Sequence, residues 1–372
     1  LKEALFFTQT TIRSSLTVCF VLISSFVVTG FVSSAYHRER TQLGEQHYLD
    51  GQKLGQSNDL TGAAEEYRKA LLFTPDSKEY RLALATALVN AGKLDEAGSH
   101  LEQLLQEDPT NGQLNLLVAR IAQRENHVNQ AIDSYQRAVY EYWPPDKLAQ
   151  RRQARWELIQ LLEGQGAKRR NDLIGELLQL YGNLPPASDQ RMHVGEMLLR
   201  NGADAEAAGV FRDVLKTAPQ DAGAHRGLAL TEFRAGDYLA ARHDYQRALR
   251  SAPSDEDAEK GLQLTNEIVD IAPELPNISA AERLRRSGNL LNRVKSDLEK
   301  CAGEVAPESP LGQRLDSVDK ALKPRKKSDT EDEAAQMQTM AEDLWRDRAA
   351  LCGKSAVRDA AVEAVLPRLI HE

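Results

Sequence analysis

Small and large apolar residues recur along the chain at a fixed interval, and that interval predicts its elements. Ala63, Tyr67, Ala70 and Pro75 are followed 34 residues later by Ala97, Leu101, Leu104 and Pro109. Within each block the apolar positions step by three and four, the spacing of one helix face. Each block runs out at a proline, which a helix interior cannot hold. A second helical set precedes each block, as Leu84, Ala85 and Leu88 precede Gly92. The pattern therefore predicts two helices per unit joined by a short turn, with Asn58 and Gly92 in the first two turns. Ala or Gly at the crossing positions lets neighbouring helix axes approach to about 8–10 Å. Tyr67, Leu101, Tyr135, Phe211 and Tyr245 fill the next interface, and burying each contributes about 1.5–3 kcal/mol. An aromatic ladder could instead stack a ligand, but at this spacing core packing is the stronger reading.

Small, then large or aromatic, then small, then proline at a 34-residue step resembles the tetratricopeptide repeat, of membrane-anchored bacterial type. The resemblance implies an all-α fold: a right-handed α-solenoid of about six helix pairs, with an N-terminal hydrophobic helix and a C-terminal helical cap region. The units fall at 44–77, 78–111 and 112–145, then an irregular 146–187, then 188–221 and 222–255. Trp143 takes the proline phase of the third unit, and Pro185 lies 42 residues after it, so Asp146–Arg155 reads as a lengthened first helix. The regular step resumes at Pro219 and Pro253.

Residues 14–36 carry no charge. About 20 helical residues cross a hydrocarbon core, so this run is long enough for an anchor. The alternative is a secretory signal cleaved after Ala35, with Ser33 two positions earlier. Segment 1–37 is thus a membrane anchor or signal and 38–43 a linker. Lys2 and Arg13 before the run nearly balance Arg38 and Arg40 after it. The expected location is a single-pass membrane protein with its repeats outside the cytoplasm, on the periplasmic side, or a secreted chain if the segment is cleaved.

After the array, 256–278 reads as a capping helix followed by a proline-rich linker. Residues 279–372 read as a further helical region. Ser279–Glu282 and Ser328–Glu331 have capping-box spacing. Lys323–Ser328 is a basic turn. If 279–302, 309–323 and 331–352 pack up–down–up, Cys301 and Cys352 share one end. In an oxidising compartment that geometry invites a disulfide, which would close a separation of 51 residues and stabilise by about 4 kcal/mol in the chain-entropy model. The alternative is two buried thiols that never meet.

The chain has 372 residues, 41% hydrophobic and 27% charged, with formal net charge −8. That composition fits a folded body and argues against nucleic-acid binding, which needs clustered Lys and Arg. No Gly-rich loop follows a strand pattern, no Cys-x-x-Cys pair exists, and the eight histidines are scattered without metal-ligand spacing. His243 and Asp244 are adjacent on a helix, so they point in different directions and read as solvated surface. No cofactor, metal or catalytic residue is expected.

What remains is a surface. The resemblance implies that first-helix residues of each unit line a concave groove for an extended peptide or partner helix. Projected onto this chain, they are Tyr48 and Gln52; Leu82, Thr86 and Asn90; Arg120 and Arg124; Arg200; and Arg226, Phe233 and Arg234. Arginines interleaved with apolar residues favour an acidic partner segment, or simply keep an exposed face soluble. Some family members grip a terminal carboxylate with Lys and Asn where this chain has Tyr48 and Gln52, so that clamp is not implied. The expected function is a membrane-tethered, non-catalytic scaffold for protein–protein interaction. The alternative is a structural subunit of a cell-envelope, secretion or pilus assembly complex.

Overall fold

The computed structural model describes residues 2–186, 189–323, 330–352 and 359–370, with side chains from residue 24 onward. Among the described residues there are seventeen α-helices and no strand. The chain divides into two compact units, Leu1–Glu176 and Leu177–Glu372.

The first unit holds α1 (Lys2–Gln56), α2 (Leu60–Phe73), α3 (Lys78–Asn90), α4 (Leu94–Glu107), α5 (Gly112–Arg124), α6 (Val128–Tyr140) and α7 (Leu148–Glu163). It also holds the start of α8 (Arg170–Gly182), within which the division falls. Helices pair as the pattern predicts, α1 with α2, α3 with α4 and α5 with α6. The turns inside these pairs reverse through left-handed residues, Asn58 (φ 64°), Gly92 (φ 78°) and Asn126 (φ 60°), spaced by the repeat. Asn and Gly tolerate that conformation best. Ser77 and Asn111 cap α3 and α5, each side chain accepting from backbone N–H groups of the first turn. Ala63, Ala97, Leu101, Ala131 and Tyr135 are buried.

Two sequence expectations change here. The linker at 38–43 does not exist as a break: α1 runs through it, because Arg38–Leu43 contains neither Gly nor Pro, and Arg40 donates to the Leu72 carbonyl at 2.7 Å. The phase slip after Trp143 is only partly a longer helix. Trp143 stacks on Gly112 and its indole N–H donates to Ala138 O at 2.6 Å. The chain then makes a short 3₁₀ turn at Pro145–Lys147 before α7 starts and another at Gly166–Arg169 after it ends.

The second unit takes the rest of α8, then α9 (Gln190–Arg200), α10 (Asp204–Thr217), α11 (Ala222–Ala235), α12 (Tyr238–Ser251) and α13 (Glu256–Ile271). Its turns reverse at Gly202 (φ 67°) and Gly236 (φ 87°), and Asp221 and Asp255 cap α11 and α13. One tie recurs in both units. The fourth residue of a unit donates to the carbonyl of the proline six positions before it: Arg81 to Pro75, Asn115 to Pro109, Arg191 to Pro185 and His225 to Pro219. Three side-chain types perform the same job, so the position, not the residue, is what repeats.

Beyond these lie α14 (Ala280–Ala302), α15 (Pro310–Ala321), α16 (Thr330–Leu351) and α17 (Ala360–Leu369). Gln338 meets Ser287, Arg348 meets Asp297 at 2.6 Å, and Cys301 is joined to Cys352 with Cα atoms 5.6 Å apart. These pairings advance together, so α14 and α16 run the same way, with α15 tied to them by Lys295–Asp319 and Arg314–Asp347. The capping box at Ser328 and most of the basic turn lie outside the described residues. Ala361, Val362, Val365 and Leu366 of α17 are fully buried in a core shared with Tyr238, Ile268, Leu291 and Leu344. Repeats and C-terminal helices of this unit therefore share one hydrophobic core.

Candidate protein-interaction grooves

In the first unit, α1, α2 and α3 line a cavity of 440 Å³. Four of the groove residues read from the sequence meet there: Tyr48, Leu82, Thr86 and Asn90. The Tyr48 ring stacks on Tyr80 at 4.7 Å, and its hydroxyl donates to Glu79 at 2.9 Å. Burial, reinforced by the Glu79 carboxylate, pushes this phenol up to about 12. Thr86 spends its hydroxyl on the Leu82 carbonyl, at 2.8 Å, so it offers its methyl to the cavity. Gln52 bonds the Tyr48 side chain and lies outside the cavity lining. Lys147, from the turn the phase slip introduces, supplies a cation that the sequence reading missed.

The arginines behave differently from the expectation. Arg120 forms a two-pronged ion pair with Glu157 of α7, at 2.9 and 2.7 Å, and Tyr135 donates to the same carboxylate at 3.1 Å. Burial would raise Glu157, but the Arg120 hydrogen bonds outweigh it and hold the carboxyl below its usual range. Arg124 donates to the Val89 carbonyl at the end of α3. Arg234 repeats that contact on Leu199, at 3.1 Å, and adds Asp204 at 2.8 Å. Both reach back 35 residues to a carbonyl at a helix C-terminus that already accepts the N–H of the turn glycine, Gly92 or Gly202, and a cation is favoured there. Arg226 pairs with Asp255 at 2.9 Å, and Arg200 also has a partner within the chain. These arginines join neighbouring helices first, and little of their charge is left for a partner.

In the second unit, α9, α11 and α13 enclose a second cavity of 440 Å³. Leu199, Leu230, Phe233 and Leu264 form apolar walls, with Arg226, Lys260, Glu196 and Asp257 among them. The ring edges of Phe211 and Tyr245 form the floor because glycine covers them. A Cβ on Gly227 would come within 2.5 Å of Phe211, and one on Gly261 within 2.4 Å of Tyr245. Lys260 and Leu264 are not among the groove residues that the sequence pattern predicts, because it marks 256–278 as a capping helix and linker. The signal was there: they lie one 34-residue step beyond Arg226 and Leu230.

His243 is exposed as expected, but Asp244 is not solvated: it is buried against His225, whose Nδ1 lies 2.6 Å from the carboxylate. The other ring nitrogen, Nε2, donates to the Pro219 carbonyl, so the imidazole is tied at both ends. Among the described residues, no group of three His, Cys, Asp or Glu side chains could hold a metal ion.

Two tetratricopeptide-repeat family models match the chain, one over residues 48–112 and 198–256, the other over 91–142. Those stretches are tetratricopeptide repeats. The interval between the matched stretches, 143–197, contains the irregular unit. Among solved structures, YrrB, described as a tetratricopeptide-repeat protein with an unusual peptide-binding site, is 16% identical with TM-score 0.40, covering 54% of this chain and 99% of its own. Pseudomonas aeruginosa PilF is 15% identical with TM-score 0.37, covering 60% and 97%. The TPR2AB domain of yeast Sti1 in its pHSP90 complex is 16% identical with TM-score 0.32, covering 79% and 99%. No curated protein matches the sequence.

Proposed function

We propose that this chain is a membrane-tethered, non-catalytic scaffold whose tetratricopeptide repeats hold partner proteins in their first-helix grooves. The observation that carries the reading is the pair of cavities at Tyr48–Asn90 and at Leu199–Leu264. Each is lined by successive first helices with an apolar floor and a polar rim. The partner is an extended segment or helix that buries apolar side chains. Its acidic residues would be met by Lys147 in one groove and Lys260 in the other, whose ion pairs with Asp146 and Glu256 are solvent-exposed and readily exchanged.

The tether rests on the uncharged run 14–36. Among the described residues no helix is long and apolar enough to cross a membrane, and the side chains of 14–23 lie outside them. Within the described part, Phe26 is 82% and Phe31 74% exposed, with Val27, Val28 and Val32 beside them. An apolar surface of that kind favours lipid over water. The joined Cys301 and Cys352 favour an oxidising compartment, which agrees with repeats outside the cytoplasm.

The test is Leu230→Asp with Leu264→Asp in the full chain. Partners crosslinked in native membranes should be lost while the helical content and melting temperature stay near wild type. An unchanged partner set removes the groove as the binding face.

A further inference from the structure

A different face of the second unit carries a further site. On the second helices of the first and fifth units, the outward lysines are neutralised by an acid three residues earlier. Lys69 pairs with Glu66 at 2.6 Å, and Lys216 with Asp213 at 2.7 Å. The sixth unit places Arg247 and Arg250 where the fifth has Asp213 and Lys216, one repeat earlier. Like charges three apart on a helix repel each other. The residue three before Arg247 is Asp244, and His225 holds that carboxylate inward. The device that fixes the His225 ring thus also deprives Arg247 of its counter-charge.

Among the described residues, neither Arg247 nor Arg250 has an ion pair or hydrogen bond, although the chain carries 55 acidic side chains against 47 basic ones. Both arginines line a cavity of 770 Å³ completed by Pro219, Gln220, His225 and Ser251. No carboxylate lines it. An arginine in the last turn complements the dipole of α12, but that needs neither two arginines nor a cavity. Paired planar forks with an amide and a hydroxyl beside them match a phosphoryl group, which offers three strong acceptor oxygens and close to two negative charges.

We propose that Arg247, Arg250, Gln220 and Ser251 form a phosphate-binding site, separate from the groove and independent of the groove reading. The phosphoryl group comes either from free phosphate or from a phosphorylated side chain of a partner. The test is calorimetric titration of the full chain in mild detergent at low ionic strength. The probes are inorganic phosphate and a phosphoserine peptide with its unphosphorylated twin. Wild type should bind phosphate, and phosphate should raise its melting temperature. Arg247→Ala with Arg250→Ala should weaken binding about tenfold or more, the loss expected of removing charge-assisted bonds, and abolish the melting shift. Arg137→Ala, at the Arg247 position of the third unit, should change neither. Tighter binding of the phosphopeptide than of phosphate assigns the partner source, and equal binding assigns free phosphate. Absence of binding by wild type, equal binding by the double variant, or equal binding of the unphosphorylated peptide overturns the site.

Discussion

The two grooves are built on one repeat yet differ in kind. In the first unit the cavity is rimmed by polar chemistry: Tyr48 is held by Glu79 and stacked on Tyr80, and Asn90 and Lys147 stand at the edge. In the second unit glycines open the floor, so Phe211 and Tyr245 meet the cavity directly between leucine walls. The repeat fixes where first-helix residues stand, and the identity of a few of them decides what the cavity can hold. A partner of the first groove is read by hydrogen bonds as well as contact. A partner of the second is held mainly by buried apolar area.

The largest consequence of that difference is mechanical. Phe211 is fully buried between two glycines, Gly195 and Gly227, whereas Tyr67 packs on one, Gly51, and keeps 8% of its surface exposed. Phe211→Ala should cost about 3–5 kcal/mol, and Tyr67→Ala less, measured by denaturant unfolding of each variant. Equal losses would mean that the interface with two glycines is no tighter than the interface with one.

Next is a contrast in acid response. Glu157 is held low by Arg120 against the cost of burial, so the stability it adds above the usual glutamate range is lost as pH falls through its lowered value. Glu232 is pushed up to about 7 by burial and by Asp244 and Asp237. Its protonated form is favoured in the folded chain, so its contribution is complete below the usual glutamate range and is lost as pH rises towards about 7. Glu157→Gln should flatten the acid limb of the melting profile, and Glu232→Gln the limb approaching neutrality. Identical profiles in the two variants contradict the assignment.

Arg124→Ala and Arg234→Ala should each cost about 0.5–1.5 kcal/mol, the usual net worth of one hydrogen bond, and should leave partner binding in place. The smallest effect is that of Tyr48→Phe, which removes one half-exposed hydrogen bond to Glu79. It should weaken capture by the first groove with almost no change in melting temperature.

Much of the fold was legible because it is local and periodic. Ala63, Ala97, Ala131, Ala207 and Ala241 recur at helix crossings and are buried, and Asn58, Gly92, Gly202 and Gly236 sit in the left-handed turns. What escaped depends on contacts across units of sequence. The roles of Arg124 and Arg234 follow from carbonyls 35 residues back, which no single helix pattern reveals. Lys147 reaches a groove only because the chain turns at Pro145–Lys147. The last helix, α17, is ten residues long with Pro367 inside it, too short to declare a period. Its partners, Tyr238 and Ile268, lie far away in sequence.

The most direct measurement is site-specific photocrosslinking in native membranes, with a photoreactive residue at Leu230 in the groove or at Arg137 on an outward surface. A discrete partner adduct from Leu230, absent from Arg137 and lost when Leu264→Asp is added, is the expected result. The same adducts from both positions, or adducts that survive Leu264→Asp, would contradict a chain that works by holding partners in its grooves.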